Sequence, residues 1–189
     1  DLSNETFAYL TSREIELAYA TVRASRVTYV GELGWELYVP TEFSTAVYDD
    51  IVEAGERFGL RHAGFHAMDS LRTEKAYRAW GHDLTDQDTS LEAGLGFAVA
   101  FDKGPFIGRR ALIRQRKENV KRRLAVFTID DPEPLLLGDE PIYRDGELVG
   151  LTTCGAYGHS LGRSVGMGYV EHDAGVEAAF IRAGTYEIE

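Results

Sequence analysis

The chain has 189 residues, 44% of them hydrophobic and 27% charged, enough apolar material for one large or two small cores and too much for a disordered tail. Its 31 acidic and 20 basic side chains leave a formal net charge of -11, which argues against general nucleic-acid binding and for solubility through self-repulsion. No apolar run approaches membrane-spanning length, no signal peptide is visible, and the single cysteine, Cys154, leaves no internal disulfide, so a reducing compartment is expected, a bacterial cytoplasm or a mitochondrial matrix. Asp1 stands where an initiator methionine would, which suggests a processed chain or a piece of a longer one.

Asp1 to Thr11 is polar enough for a connector, and Ser12 to Ala18 offers a short alternating run. Ala20 to Val30 reads as a strand entering a hairpin whose turn is two residues, Glu32-Leu33, or four, Gly31 to Gly34, and whose return strand is Trp35-Glu36-Leu37-Tyr38-Val39. A symmetric closure pairs Val30 with Trp35 and Tyr29 with Glu36, so that the phenol and the carboxylate stand side by side on one face. A carboxylate beside an aromatic ring suits a flat, nitrogen-rich heterocycle, because it can accept two parallel N–H bonds from an amino-pyrimidinone edge. The same pair also fits the wetter side of an ordinary strand.

After Pro40, Thr41 is placed to cap a helix over 42–58, where Phe43, Val47, Ile51, Ala54 and Phe58 recur at helical spacing, and Gly59 ends it. A second helix is expected from about Gly64 to Tyr77, a strand at Val99 to Phe101, and, after a loop that opens at Gly104, a helix that runs to about Asn119. Basic residues concentrate there: Arg109, Arg110, Arg114, Arg116, Lys117, Lys121, Arg122 and Arg123. From Leu124 short β candidates dominate, at 124–129, 142–144, 148–152, 165–170 and 178–181, with Asp145-Gly146 the strongest hairpin turn in the chain. Strands at this density point to a small barrel or sandwich, with a domain boundary near residue 120 that divides the chain into 1–119 and 120–189.

The run Tyr29-Val30-Gly31-Glu32-Leu33-Gly34-Trp35-Glu36-Leu37 resembles the signature of the aminomethyltransferase family, the folate-binding T-protein of the glycine cleavage system and its relatives. Its wording is similar to the folate domain of FAD-dependent sarcosine and dimethylglycine dehydrogenases. Gly64 to Lys75, Trp80 to Leu84, Thr89 to Phe97 and Gly104 to Leu112 resemble the following blocks in family order. The resemblance implies an α+β fold: a partial ferredoxin-like folate-binding domain with an antiparallel sheet and helices, then a small C-terminal β-barrel. It implies that Tyr29 and Glu36 contact the pterin of tetrahydrofolate and that Trp80 and Phe97 line the folate, although both rings also suit a core. T-proteins carry an arginine where this helix has Met68, so that role passes to Arg72 or Arg78 or is lost. Some of the basic residues from 109 to 123 would then attract the glutamate tail of the folate.

Further implications are an FAD domain upstream in the same polypeptide as partner, with FAD bound only there, and 5,10-methylenetetrahydrofolate as product. The family's catalytic aspartate lies upstream of the motif and matches neither Asp1 nor Asp69, so no catalytic residue is expected in this chain, which belongs to an enzyme and is inactive alone. Alternatives are a stand-alone T-protein-like or non-catalytic folate-binding module and, from Gly158-His159-Ser160-Leu161-Gly162, a serine hydrolase using Ser160. The hydrolase pattern needs a helix after the serine, whereas Arg163 to Gly168 reads as strand. His62 and His66 have chelating spacing but suit a helix start on the surface, and Cys154 suits packing. No Walker A, G-x-G-x-x-G or C-x-x-C pattern is present.

Overall fold

Alternation builds the first sheet in the computed structural model, which describes residues 1–189. Ala20, Val22 and Ala24 point one way from strand β2 (Ala20–Ser25) and are buried, while Thr21 and Arg23 point the other way into solvent. Strand β1 (Ser12–Leu17) pairs antiparallel with β2, setting Glu14 opposite Arg23 and Glu16 opposite Thr21. Both cross-strand pairs bond, Arg23 to Glu14 at 3.1 Å and the Thr21 hydroxyl to Glu16 at 2.9 Å. Strand β3 (Glu36–Tyr38) completes the order β1-β2-β3. Helix α1 (Ser44–Glu56), entered through a 3-10 turn at Thr41–Phe43, packs Val47 and Ile51 on the buried side of this sheet.

Several expectations in this region are corrected. The register is Arg23 with Tyr38, Ala24 with Leu37 and Ser25 with Glu36, so Tyr29 does not stand opposite Glu36. The reason lies at Arg26, a buried cation in the middle of the expected strand. Its guanidinium donates to the Phe7 carbonyl and to the Asn4 side chain, and it lies 5.4 Å from the Trp35 ring, which meets Phe7 edge-on at 4.6 Å. Satisfying that charge turns the backbone at once, with the Val27 N–H bonding back to the Ser25 carbonyl. The chain closes through a long loop over 26–35 instead of a tight turn, and Gly34 is needed because it sits against Val27 and Thr28, where a Cβ would lie 2.8 Å from the Val27 oxygen. Thr41 supplies no side-chain cap, and Phe43 and Phe58 of the expected apolar stripe are exposed.

Helix α2 (Phe65–Glu74) is followed by irregular chain and helix α3 (Arg109–Glu118). Val99 to Phe101 is not a strand: a 3-10 turn at Gly96–Ala98 precedes it, and the Phe101 carbonyl accepts from Arg109 Nε at 2.9 Å rather than from a neighbouring strand. Beyond it β4 (Arg122–Thr128), β5 (Pro141–Arg144), β6 (Glu147–Gly158), β7 (Arg163–Glu171) and β8 (Tyr186–Ile188) form one antiparallel sheet in the order β4-β7-β6-β5-β8. Asp145 and Gly146 both take positive φ in the β5–β6 turn, as a two-residue hairpin requires. The segment expected as strand at 178–181 is instead helix α4 (Ala178–Ala183), because its alanines favour helix and its Phe180 and Ile181 bury together against Ala125, Val170 and Val176. The sheet curls until its edge strands approach, with the rings of Phe127 on β4 and Tyr186 on β8 at 5.3 Å.

By backbone proximity the chain divides into units 1–69 and 70–189, and β4 begins at Arg122, close to the change of character near residue 120. No helix is long and apolar enough to cross a membrane. The Gly34→Ala substitution should destabilise the chain by about 1–3 kcal/mol through overpacking against fixed backbone. Urea unfolding reads this directly, and an unchanged midpoint would mean that the 26–35 loop yields freely.

Candidate functional site

Glu36 reaches its position because β3 ends the first sheet with no strand beyond it. It lies opposite Ser25, on the solvent side of the sheet, and two-residue periodicity puts Tyr38 beside it. The Tyr38 hydroxyl donates to Glu36 Oε2 at 3.0 Å, and this bond and the carboxylate charge hold the phenol above its ordinary pKa. An aromatic ring and a carboxylate thus do meet on an exposed face, but the ring is Tyr38. Tyr29 sits half-buried in the 26–35 loop, off the sheet. Tyr38 was legible from strand alternation alone, since residues two apart share a face.

In the second unit the central feature is Asp83, fully buried in the Trp80 to Leu84 block. One carboxylate oxygen accepts from the Arg72 guanidinium and from the Ala79 N–H at 2.8 Å, and the other from the Thr153 hydroxyl at 2.7 Å. Arg72 is only 3% exposed and its Nη1 also donates to the Tyr77 carbonyl at 3.0 Å. Arg78 ties down the same stretch, donating from Nε to the Ala93 carbonyl at 3.0 Å and from Nη1 to the Ala76 carbonyl at 2.6 Å. Of the two candidates for the role of the arginine absent at Met68, Arg72 is therefore engaged with Asp83 and the Tyr77 carbonyl, and Arg78 with the Ala76 and Ala93 carbonyls. Around the fixed turn, Trp80 bridges to Leu84 yet presents its ring outward, 70% exposed, and Phe97 is 85% exposed on the 3-10 turn. Neither is a core aromatic within its unit. Asp83 carried no signal in the sequence beyond lying in a motif block, because pairing between residues far apart is invisible without coordinates.

The remaining chemical motifs resolve into structure. Gly158 to Gly162 turns β6 into β7, strand to strand, so Ser160 lacks the helix of a nucleophile elbow, and its N–H is held by Glu74 Oε1 at 2.8 Å. The hydrolase alternative is set aside on that geometry. His62 stacks on Tyr48 with centroids 5.8 Å apart. Cys154 is buried, and burial together with the Asp83 charge pushes its thiol up to about 11, so it stays protonated at neutral pH.

Residues 1–103 match the model of the GCVT N-terminal domain and residues 122–189 that of the glycine cleavage T-protein C-terminal barrel domain. The chain belongs to the glycine cleavage T-protein family. It is 41% identical to human mitochondrial sarcosine dehydrogenase over 192 residues, covering 100% of this chain and 21% of that protein. It is 42% identical to human mitochondrial dimethylglycine dehydrogenase over 173 residues, covering 90% of this chain and 20% of that protein. It spans about a fifth of the length of these two relatives. The crystal structure of glycine cleavage system aminomethyltransferase T from Bartonella henselae superposes with a TM-score of 0.77 at 24% identity, over 86% of this chain and 44% of that one, which establishes the fold.

Asp83→Ala should cost about 3–5 kcal/mol, because it leaves the buried Arg72 charge without its partner. Chemical denaturation measures it, and a loss below about 1 kcal/mol would show that water reaches Arg72. The raised thiol has a pH signature of definite sign. Stability held by un-ionised Cys154 is complete below its ordinary value of 9.0 and is lost as pH rises toward about 11. Cys154→Ala should flatten the alkaline fall in the denaturation midpoint between those limits, and an unaltered slope would assign that fall to other groups.

Proposed function

We propose that this chain is the tetrahydrofolate-binding part of an aminomethyltransferase-type enzyme, within a polypeptide that oxidises an N-methyl amine such as sarcosine or dimethylglycine at an upstream FAD domain. One observation carries the reading: the carboxylate at the family's pterin position, Glu36, stands exposed on an open strand instead of being consumed by a salt bridge. The donor set fits a pterin, since Tyr38 occupies Oε2 from the side and Oε1 has no protein partner. Glu36 accepts the paired N–H groups of the amino-pyrimidinone edge, and Tyr38 fixes the plane of the carboxylate. On the motif blocks alone, Tyr29, Trp80 and Phe97 are assigned as further folate contacts. Arg72 acts indirectly, holding Asp83 and hence the turn that bears Trp80.

When bound, tetrahydrofolate supplies nucleophilic nitrogen that accepts a one-carbon unit, leaving as 5,10-methylenetetrahydrofolate. The chain's own residues bind and orient. The acid–base chemistry is assigned to an upstream aspartate, so these residues alone turn nothing over. Residues 1–119 form the folate-binding part and 120–189 the barrel, in a bacterial cytoplasm or a mitochondrial matrix.

Calorimetric titration of the full-length polypeptide with tetrahydrofolate tests this. Glu36→Ala should weaken binding by about 2–3 kcal/mol, through loss of a bidentate charge-assisted contact. Tyr38→Phe should weaken it by about 1 kcal/mol, the worth of one hydrogen bond. Equal affinity in wild type and Glu36→Ala would remove the carboxylate from the site.

A further inference from the structure

The basic stretch from Arg109 to Arg123 is not one population. Arg109 holds the Phe101 carbonyl, and Arg122 pairs with Asp88 and, at 3.1 Å, with Glu171, lying 3.5 Å from the Tyr169 ring centroid. Arg116 and Arg123 differ, because both line one cavity of about 390 Å³. Arg116 projects from the last turn of α3, where its only partner is the Phe101 ring at 5.4 Å. Arg123 comes from the start of β4, and its Nε is buried with no hydrogen-bond partner. Neither guanidinium is paired with a carboxylate. Asn119 contributes a side-chain amide, Leu91, Phe101, Val120 and Val176 supply apolar wall, and Glu177 is the one acidic lining residue.

A buried guanidinium N–H without an acceptor is unfavourable by a kcal/mol or more, and an arginine fork is shaped for the paired oxygens of a carboxylate or phosphate. In a chain of net charge -11, two unpaired arginines converging on one apolar-walled cavity leave a locally positive site. The volume falls in the range of small-ligand pockets. We propose that this cavity is a binding site for a small organic anion, its carboxylate or phosphate oxygens held by Arg116, Arg123 and Asn119 and its carbon chain lying along Phe101 and Val176. Such an anion could come from two sources: a free metabolite, or the γ-linked glutamates of a folate, and only the second rests on the folate reading above.

The test is calorimetric titration of the full-length protein with glutarate and with inorganic phosphate at constant ionic strength. Saturable binding is expected, weakened roughly tenfold by Arg116→Gln and by Arg123→Gln. Lys117→Gln, an exposed charge on α3 that does not line the cavity, should leave it unchanged. Arg116 is exposed, so its variant keeps the test decisive even where Arg123→Gln unfolds the protein. Absence of saturable binding, or an equal loss in Lys117→Gln, would overturn the site. Tetrahydrofolate carrying one or three glutamates then separates the sources. An advantage of the longer tail that disappears in Arg116→Gln identifies the folate, and an advantage that persists while glutarate binding is lost identifies a free anion. Glu36→Ala reports on the pterin and leaves the glutarate titration untouched, so the two readings fail separately.

Discussion

A carboxylate taken wholly out of water must find both an opposite charge and hydrogen-bond donors, and Asp83 finds them on three separate pieces of chain: α2, the turn at residue 79 and strand β6. Removing any one donor leaves the others facing an unsatisfied charge. The arrangement therefore makes the 79–84 turn as rigid as the helix and sheet that hold it. That rigidity explains how Trp80 can project its ring into solvent from a segment with almost no regular structure. A ring on a fixed turn loses little freedom when something stacks on it, the usual condition for an exposed aromatic that binds. Burial, reinforced by the same carboxylate, keeps the neighbouring Cys154 thiol protonated, removing a reactive group from the interior.

Arg26 plays the corresponding part in the first unit. A buried guanidinium drawn to the Phe7 carbonyl, Asn4 and the Trp35 ring takes the chain out of β2 earlier than its β-rich composition would. Because the chain leaves early, β3 is short and meets only the end of β2, and the motif's glycines fold a long loop instead of a tight turn. Glu36 and Tyr38 stand clear on the solvent side as a result. An open edge strand invites pairing with other chains, and a charged residue at its start is one of the ways such edges are kept from it.

The acidic chain also separates its basic residues by task. Those near Asp88, Glu171 and the Phe101 carbonyl secure α3 and β4, while the charges of Arg110, Arg114, Lys117 and Lys121 lie in solvent. Net charge describes neither group. What matters locally is which guanidinium has a carboxylate within reach and which has none.

Much of the architecture was legible because it rests on short-range rules. Alternation placed β1, β-rich runs placed β2 and the strands from β4 to β7, the Asp145-Gly146 pair placed the β5–β6 turn, and helical spacing placed α1 and α2. The resemblance in the motif blocks anticipated the family and the C-terminal barrel. Where local preference and long-range contact disagreed, the sequence misled: 178–181 is a short apolar run like a strand but packs Phe180 and Ile181 from a helix, and β8 is too short to stand out without β5 beside it. The sequence by itself determined that a carboxylate would lie on a strand in a motif of the glycine cleavage T-protein family. Only the tertiary structure decided which phenol meets it and that Arg72 faces inward to Asp83, because both outcomes follow from where distant charges find their partners.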